Sequence, residues 1–141
     1  MKSVLFGTAR SNSAVNDTGL LLLRVFAGLA MAFGHGIGKI PPSEKFIDGV
    51  EAMGFPLPFI FAWAASLSEF LGGIFIALGL LTRPSAFFLV ITMATAAFVR
   101  NAGDGFSGQE KAMLYMFVYG ALLFTGAGRF SLDGLVNGKK R

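Results

Sequence analysis

Two ionisable residues stand inside long apolar stretches of this chain, Arg24 and Glu69. Charged groups are costly at membrane depth. They face a bundle interior or a water-filled cavity, where they pair, relay protons or hold a ligand. His35 follows Arg24 by eleven residues, almost three helical turns, so both point to one face of one helix. Tyr119 shares a face with Tyr115, Leu122 and Gly126 and could donate to Glu69 or to a ligand. Counted from the ends of their apolar stretches, Arg24 lies roughly 8 Å and Glu69 roughly 18 Å from the same membrane face. An arginine side chain bridges much of the difference, so an Arg24–Glu69 pair is expected, directly or through water. Such a pair could be structural or functional, or Arg24 could instead snorkel to the headgroups. His35 could equally be a hydrogen-bonded cap near the end of its span, with Lys39 one turn later against the negative end of the helix dipole. Small residues accompany the polar ones. Gly28, Ala32 and Gly36 on the first stripe, and Gly72 and Gly73 beside Glu69, allow close helix–helix approach.

The elements that must position these groups follow from composition. Of 141 residues, 54% are hydrophobic and 14% charged. A soluble domain has about 45–50% apolar and about 25% charged residues. Four apolar stretches, about 19–38, 58–81, 85–100 and 111–128, approach the roughly 20 residues of a spanning helix. The expected fold is all-α, an integral membrane four-helix bundle over 19–128. A polar tail of residues 1–18 precedes it and a basic tail of 129–141 follows. Pro41 and Pro42 end the first span, and Ser43 can cap a short helix from Glu44 to Met53. Phe46, Ile47, Val50 and Met53 give that helix one apolar face, so it either lies at the bilayer interface or closes over a site. Thr82-Arg83-Pro84 reads as a tight turn, and Asn101 to Gln109 as a flexible loop. Seven lysines and arginines fall on the side of the termini, against Lys39, Lys45, Arg100 and Lys111 opposite. That asymmetry places both termini in the cytoplasm.

Several chemistries are excluded. The chain has no cysteine, which removes disulfides, iron–sulfur clusters and thiolate metal sites. One histidine cannot build a bis-histidine haem or a multi-histidine metal site, so no metal is assigned. No Gly-rich dinucleotide fingerprint is present. The net charge of +4 gathers into no dense patch except Lys139, Lys140 and Arg141, which argues against nucleic acid. Residues 1–17 lack the apolar core of a signal peptide.

Five strings occur in order: Gly34-His35-Gly36-Ile37-Gly38-Lys39, Glu69-Phe70-Leu71-Gly72-Gly73, Leu78-Gly79-Leu80-Leu81-Thr82-Arg83, Glu110 to Tyr115, and Gly128-Arg129-Phe130-Ser131-Leu132-Asp133. Together they resemble the DoxX family of small bacterial four-helix inner-membrane proteins, over roughly Gly19 to Leu135. Ile40 stands where the family commonly has leucine, and Ala127 where it often has proline. The resemblance implies an oxidoreductase subunit of the bacterial inner membrane, linked to quinol oxidase or thiosulfate:quinone chemistry, oxidative-stress complexes or detoxification. The chain has no intrinsic redox centre in view, so the carrier would be a bound quinone or a centre on a partner protein.

Three functions are open. The first is a quinone-linked oxidoreductase subunit with a pocket lined by Arg24, His35, Glu69 and Tyr119. The second is a non-enzymatic membrane partner or assembly factor in which Arg24 and Glu69 only hold helices together. The third is a small-molecule transporter with Glu69 as the titrating group. The lipid bilayer is the first partner in every case. A soluble or membrane oxidoreductase, or a second copy of the chain, would be the next.

Overall fold

The computed structural model describes residues 14–138. The first thirteen residues of the polar tail, and the basic run Lys139–Arg141, lie outside the described residues. Among the described residues all regular structure is helical. Helix α1 (Ala14–Met31) continues through a π-helical turn, Ala32–Gly36, and a 3-10 turn, Ile37–Lys39. The short α2 is Glu44–Ala52, and α3 is Pro58–Leu78. Helix α4 (Thr82–Thr95) ends in a second π-helical turn, Ala96–Arg100. Helices α5 (Gly105–Thr125) and α6 (Leu132–Gly138) complete the chain. Three of these stretches are long and apolar enough to cross a membrane: Ala14–Lys39, Pro58–Leu78 and Thr82–Arg100. Helix α5 has the same 21 residues as α3, but its first turns carry Gln109, Glu110 and Lys111, which lower its hydropathy.

Several helix ends differ from the sequence expectation. Helix α1 is already helical at Ala14, the first described residue, ahead of Gly19. Thr18 Oγ1 donates to Ala14 O at 2.7 Å, and the Asp17 carboxylate holds Arg129 through its N–H and its Nε, each at 3.1 Å. Thr82 is already helical. The turn lies just before it, with Gly79 at φ 68° and Leu81 at φ 47°. Asp133, 52 and 51 residues away in sequence, accepts the N–H groups of Leu81 and Thr82 at 2.9 Å each, satisfying donors that a helix start leaves free. The expected loop from Asn101 to Gln109 shrinks to Asn101–Asp104. Asn101 Nδ2 donates to Gly108 O at 3.3 Å and Gln109 Nε2 to Asn101 O at 3.2 Å, which tie the turn to the start of α5. In α2, Ser43 Oγ accepts the Phe46 N–H at 3.2 Å. The C-terminal segment is not a free tail, since 128–133 is bonded to both α1 and the α3–α4 turn.

Close backbone contact joins α1 to α3. A Cβ on Gly28 would collide with the Gly73 carbonyl and stand 2.6 Å from Ala77 N. A Cβ on Gly73 would stand 2.6 Å from Gly28 O, and one on Gly36 would stand 2.7 Å from Phe70 Cα. Gly72 faces Leu89 of α4 instead. Met31, Ile76, Leu89, Tyr119 and Leu122 bring all four long helices into one core. Outside it, large apolar side chains point away from the protein, with Phe26, Phe117 and Phe124 at 74%, 67% and 82% exposure. Apolar surface of that extent fits lipid, not water.

One consequence of this packing matters for function. Gly36 meets α3 at Glu69–Phe70, and α1 ends three residues later at Lys39. Helix α3 runs on for eleven residues toward Pro58, about 16 Å. Helix α1 therefore stops partway along its neighbour, and the chain turns away through Ile40–Ser43 into α2. Irregular backbone at such depth is tolerated where it is buried in protein or lines a cavity. Two cavities meet here.

Candidate functional site

Glu69 is 3% exposed, near the middle of α3. Its partner is Lys39. The ammonium donates to both carboxylate oxygens, at 2.9 Å to Oε1 and 2.8 Å to Oε2. Lys39 also lies over the Phe46 ring of α2, 5.3 Å from its centroid. The lysine thus connects three elements, α1, α3 and α2.

On one side of the pair is a cavity of about 330 Å³ between α2, α3 and α4. Phe46, Val50 and Met53 line it from α2, Ala64, Ala65 and Ser68 from α3, and Ile91, Thr92 and Thr95 from α4. Phe61, Phe88 and Ile91 at its margin are exposed on the apolar outer surface, so the cavity opens toward lipid. On the other side is a smaller, more polar vestibule of about 150 Å³ between α1, α4 and α5. His35, Lys111, Tyr115 and Asn101 line it, and Arg100 and Lys111 are exposed. Lys39, Glu69, Ala96 and Arg100 border both spaces. The π-helical turns of α1 and α4 flank this junction, and π turns recur at functional sites.

The expected pairing of Arg24 with Glu69 does not occur. Arg24 is 1% exposed, and its Nη2 donates to the Phe130 carbonyl at 2.8 Å. A Cβ on Gly79 would run into the guanidinium, so Arg24 lies level with the C-terminal end of α3. Gly79 is ten residues beyond Glu69, about 15 Å along the helix axis. The sequence count gave a gap of roughly 10 Å; it is too small because the Arg24 side chain lies level with the end of α3 rather than one to two turns inside it. The Asp133 carboxylate acts electrostatically on Arg24, while Nε and Nη1 have no hydrogen-bond partner among the described residues. Neither cavity touches Arg24.

Tyr119 is within electrostatic reach of Glu69 but makes no hydrogen bond to it. It is fully buried, donates to Ala27 O at 2.9 Å, and stacks on Tyr115 with centroids 5.9 Å apart. His35 does reach the site. It lines the vestibule and meets Tyr115 edge-on, with centroids 5.7 Å apart. Of the four expected polar residues, the structure brings His35 and Glu69 together at the vestibule, sets Tyr119 behind Tyr115, and leaves Arg24 elsewhere.

Sequence reasoning missed Lys39, Arg100 and Lys111 as site residues. Lys39 carried a readable signal. It continues the stripe Arg24, Gly28, His35 by one turn, so it points where His35 points. Arg100 and Lys111 reach the vestibule because the loop between α4 and α5 is short, which their composition does not announce.

Comparison with known proteins identifies the family. The DoxX family model matches residues 19–102. The chain is 31% identical over 126 residues to "Putative oxidoreductase CatD" of Bacillus subtilis, covering 88% of this chain and 92% of that one. It is 31% identical over 132 residues to the inner membrane protein YqjF of Escherichia coli, covering 89% and 97%. An uncharacterized protein of Haemophilus influenzae is 37% identical over 107 residues, covering 70% and 77%. No solved structure matches the chain.

Proposed function

The chain belongs to the DoxX family, and we propose that it is a quinone-binding membrane subunit of an oxidoreductase. The observation that carries this reading is the apolar cavity of about 330 Å³ that opens to lipid and ends on buried Glu69 and its half-buried partner Lys39. Small-molecule sites measure about 300–1,000 Å³ and combine apolar walls with a few placed polar groups. A quinone has the matching shape: an apolar ring and tail with two polar oxygens. It diffuses in the bilayer, and Phe61, Phe88 and Ile91 mark a lateral way in. When bound, a quinone supplies two-electron, two-proton redox chemistry that this chain lacks.

The residues divide the work. The apolar side chains of α2, α3 and α4 exclude water around the ring. Lys39 offers an ammonium donor to a ring oxygen, and Glu69 holds that ammonium in place while offering a proton acceptor. Helix α2 covers the cavity through Phe46, Val50 and Met53. Electrons pass to or from a redox centre on a partner protein. Under this reading α5 is a fourth span, because it matches α3 in length and packs along α4. The inner membrane is the location, with both termini cytoplasmic, on the lysine and arginine asymmetry.

A photoreactive quinone analogue in membranes containing the protein tests the reading. Label should fall on peptides covering 61–69 and 88–96, and natural quinone should compete it away. Label confined to the outer face of α5, or label that natural quinone does not displace, would overturn it.

A further inference from the structure

The Lys39–Glu69 pair does not sit at the blind end of one cavity; it is the partition between two. The apolar cavity faces lipid, and the polar vestibule opens at exposed Arg100 and Lys111. Glu69, 3% exposed in total, borders both. The early end of α1 leaves this carboxylate with two environments.

We infer that Glu69 is a proton-exchange group open on both sides, carrying protons between the apolar cavity and the water of the vestibule while electrons travel separately through the partner. The inference rests on the proposed quinone reading for what sits in the cavity, but two-sided access to Glu69 is a property of the chain alone. Glu69 accepts a proton from the cavity side, and its negative charge disappears. The Lys39 ammonium then loses its counter-ion and keeps the Phe46 ring face. Glu69 next releases the proton on the vestibule side, and Lys39 pairs with it again. No atom is gained or lost by the chain over the cycle. The charged and titratable groups facing Glu69 are Lys39 and His35 from α1, Arg100 from α4, and Lys111, Tyr115 and, behind it, Tyr119 from α5. Helix α2 presents only Phe46, Val50 and Met53.

The test uses two carbodiimides on the full protein in lipid vesicles, with modification at Glu69 read by mass spectrometry. A hydrophobic carbodiimide approaches from lipid, and a water-soluble one from the aqueous side. Either the acylurea at Glu69 or an amide between Glu69 and Lys39, formed as the reagent leaves as its urea, counts as modification. Wild type should be modified by both reagents, and Glu69→Gln by neither at that position. Ala65→Phe, which fills only the apolar cavity, should lose modification by the hydrophobic reagent and keep the other. Ala112→Phe, which fills only the vestibule, should do the reverse, and Lys111→Trp at the exposed rim gives the same test without touching the core. Modification of wild type by one reagent alone would overturn the inference, as would filled variants that block both reagents equally. These outcomes do not depend on whether a quinone binds, so failure here and failure of quinone labelling are separate results.

Discussion

Two basic residues of the first helical stretch lie against α3, Arg24 near its middle and Lys39 at its end, with opposite results. At Arg24 the space is closed. Gly79 and Ser131 wall the guanidinium, the Phe130 carbonyl accepts from it, and Asp133 beside it caps α4. At Lys39 the space is open. The ammonium holds Glu69 but borders a lipid-facing cavity on one side and a vestibule on the other. Both residues face the same liability, a charge in an apolar stretch. What separates a structural clasp from a candidate site is the free volume around the charge. That volume comes from α1 stopping at Lys39 while α3 continues.

The contrast can be broken by substitution, beginning with the largest effect. Gly79→Val forces a branched side chain into φ 68° and into the Arg24 guanidinium. The left-handed backbone costs about 1–2 kcal/mol and overpacking about 1–3 kcal/mol. The midpoint of thermal unfolding in detergent should fall sharply, and an unchanged midpoint would show that the clasp holds nothing. Lys39→Met alone leaves Glu69 buried without its counter-charge. A fully buried pair broken this way costs about 3–5 kcal/mol. Here about 2 kcal/mol is expected, because the vestibule admits water to the carboxylate. The double change Lys39→Met with Glu69→Leu should recover to within about 1 kcal/mol of wild type, since well-packed apolar replacements of ion pairs are often neutral. A double variant as unstable as the single one would make the pair structural.

Asp133→Ala removes the cap of α4 and should cost about 1 kcal/mol. Faster amide exchange at Leu81 and Thr82 is its signature. Ala65→Phe should change stability by under about 1 kcal/mol, because it fills open volume instead of packed core. It should nevertheless abolish quinone-analogue labelling. Retained labelling would move the ligand out of the cavity.

The sequence showed the helices well and the site only partly. Hydropathy is a local property, so the apolar runs beginning near Gly19, Pro58 and Ser85 announce spans, and Ser43 announces the start of α2. The Gly28 and Gly73 positions carry a readable signal for close contact, because only a missing side chain permits it. The partner of Glu69 was not legible from depth counting, since the count does not say how α1 is offset along α3. That offset shows only in contacts far apart in sequence, such as Arg24 to the Phe130 carbonyl, 106 residues away. The strings that resemble the family also have a physical explanation once folded. Leu78–Arg83 and Gly128–Asp133 form one hydrogen-bonded unit around Arg24, and the strings around Gly36 and Glu69 form the wall between the two cavities.

The most direct measurement is the quinone extracted from purified protein, per polypeptide, in wild type and in the Lys39→Met, Glu69→Leu double variant. Both proteins are first shown to unfold at similar temperatures. Wild type is expected to carry quinone and the folded double variant to carry little or none. Wild type without quinone, or equal quinone in both proteins, would contradict a ligand held at the Lys39–Glu69 pair.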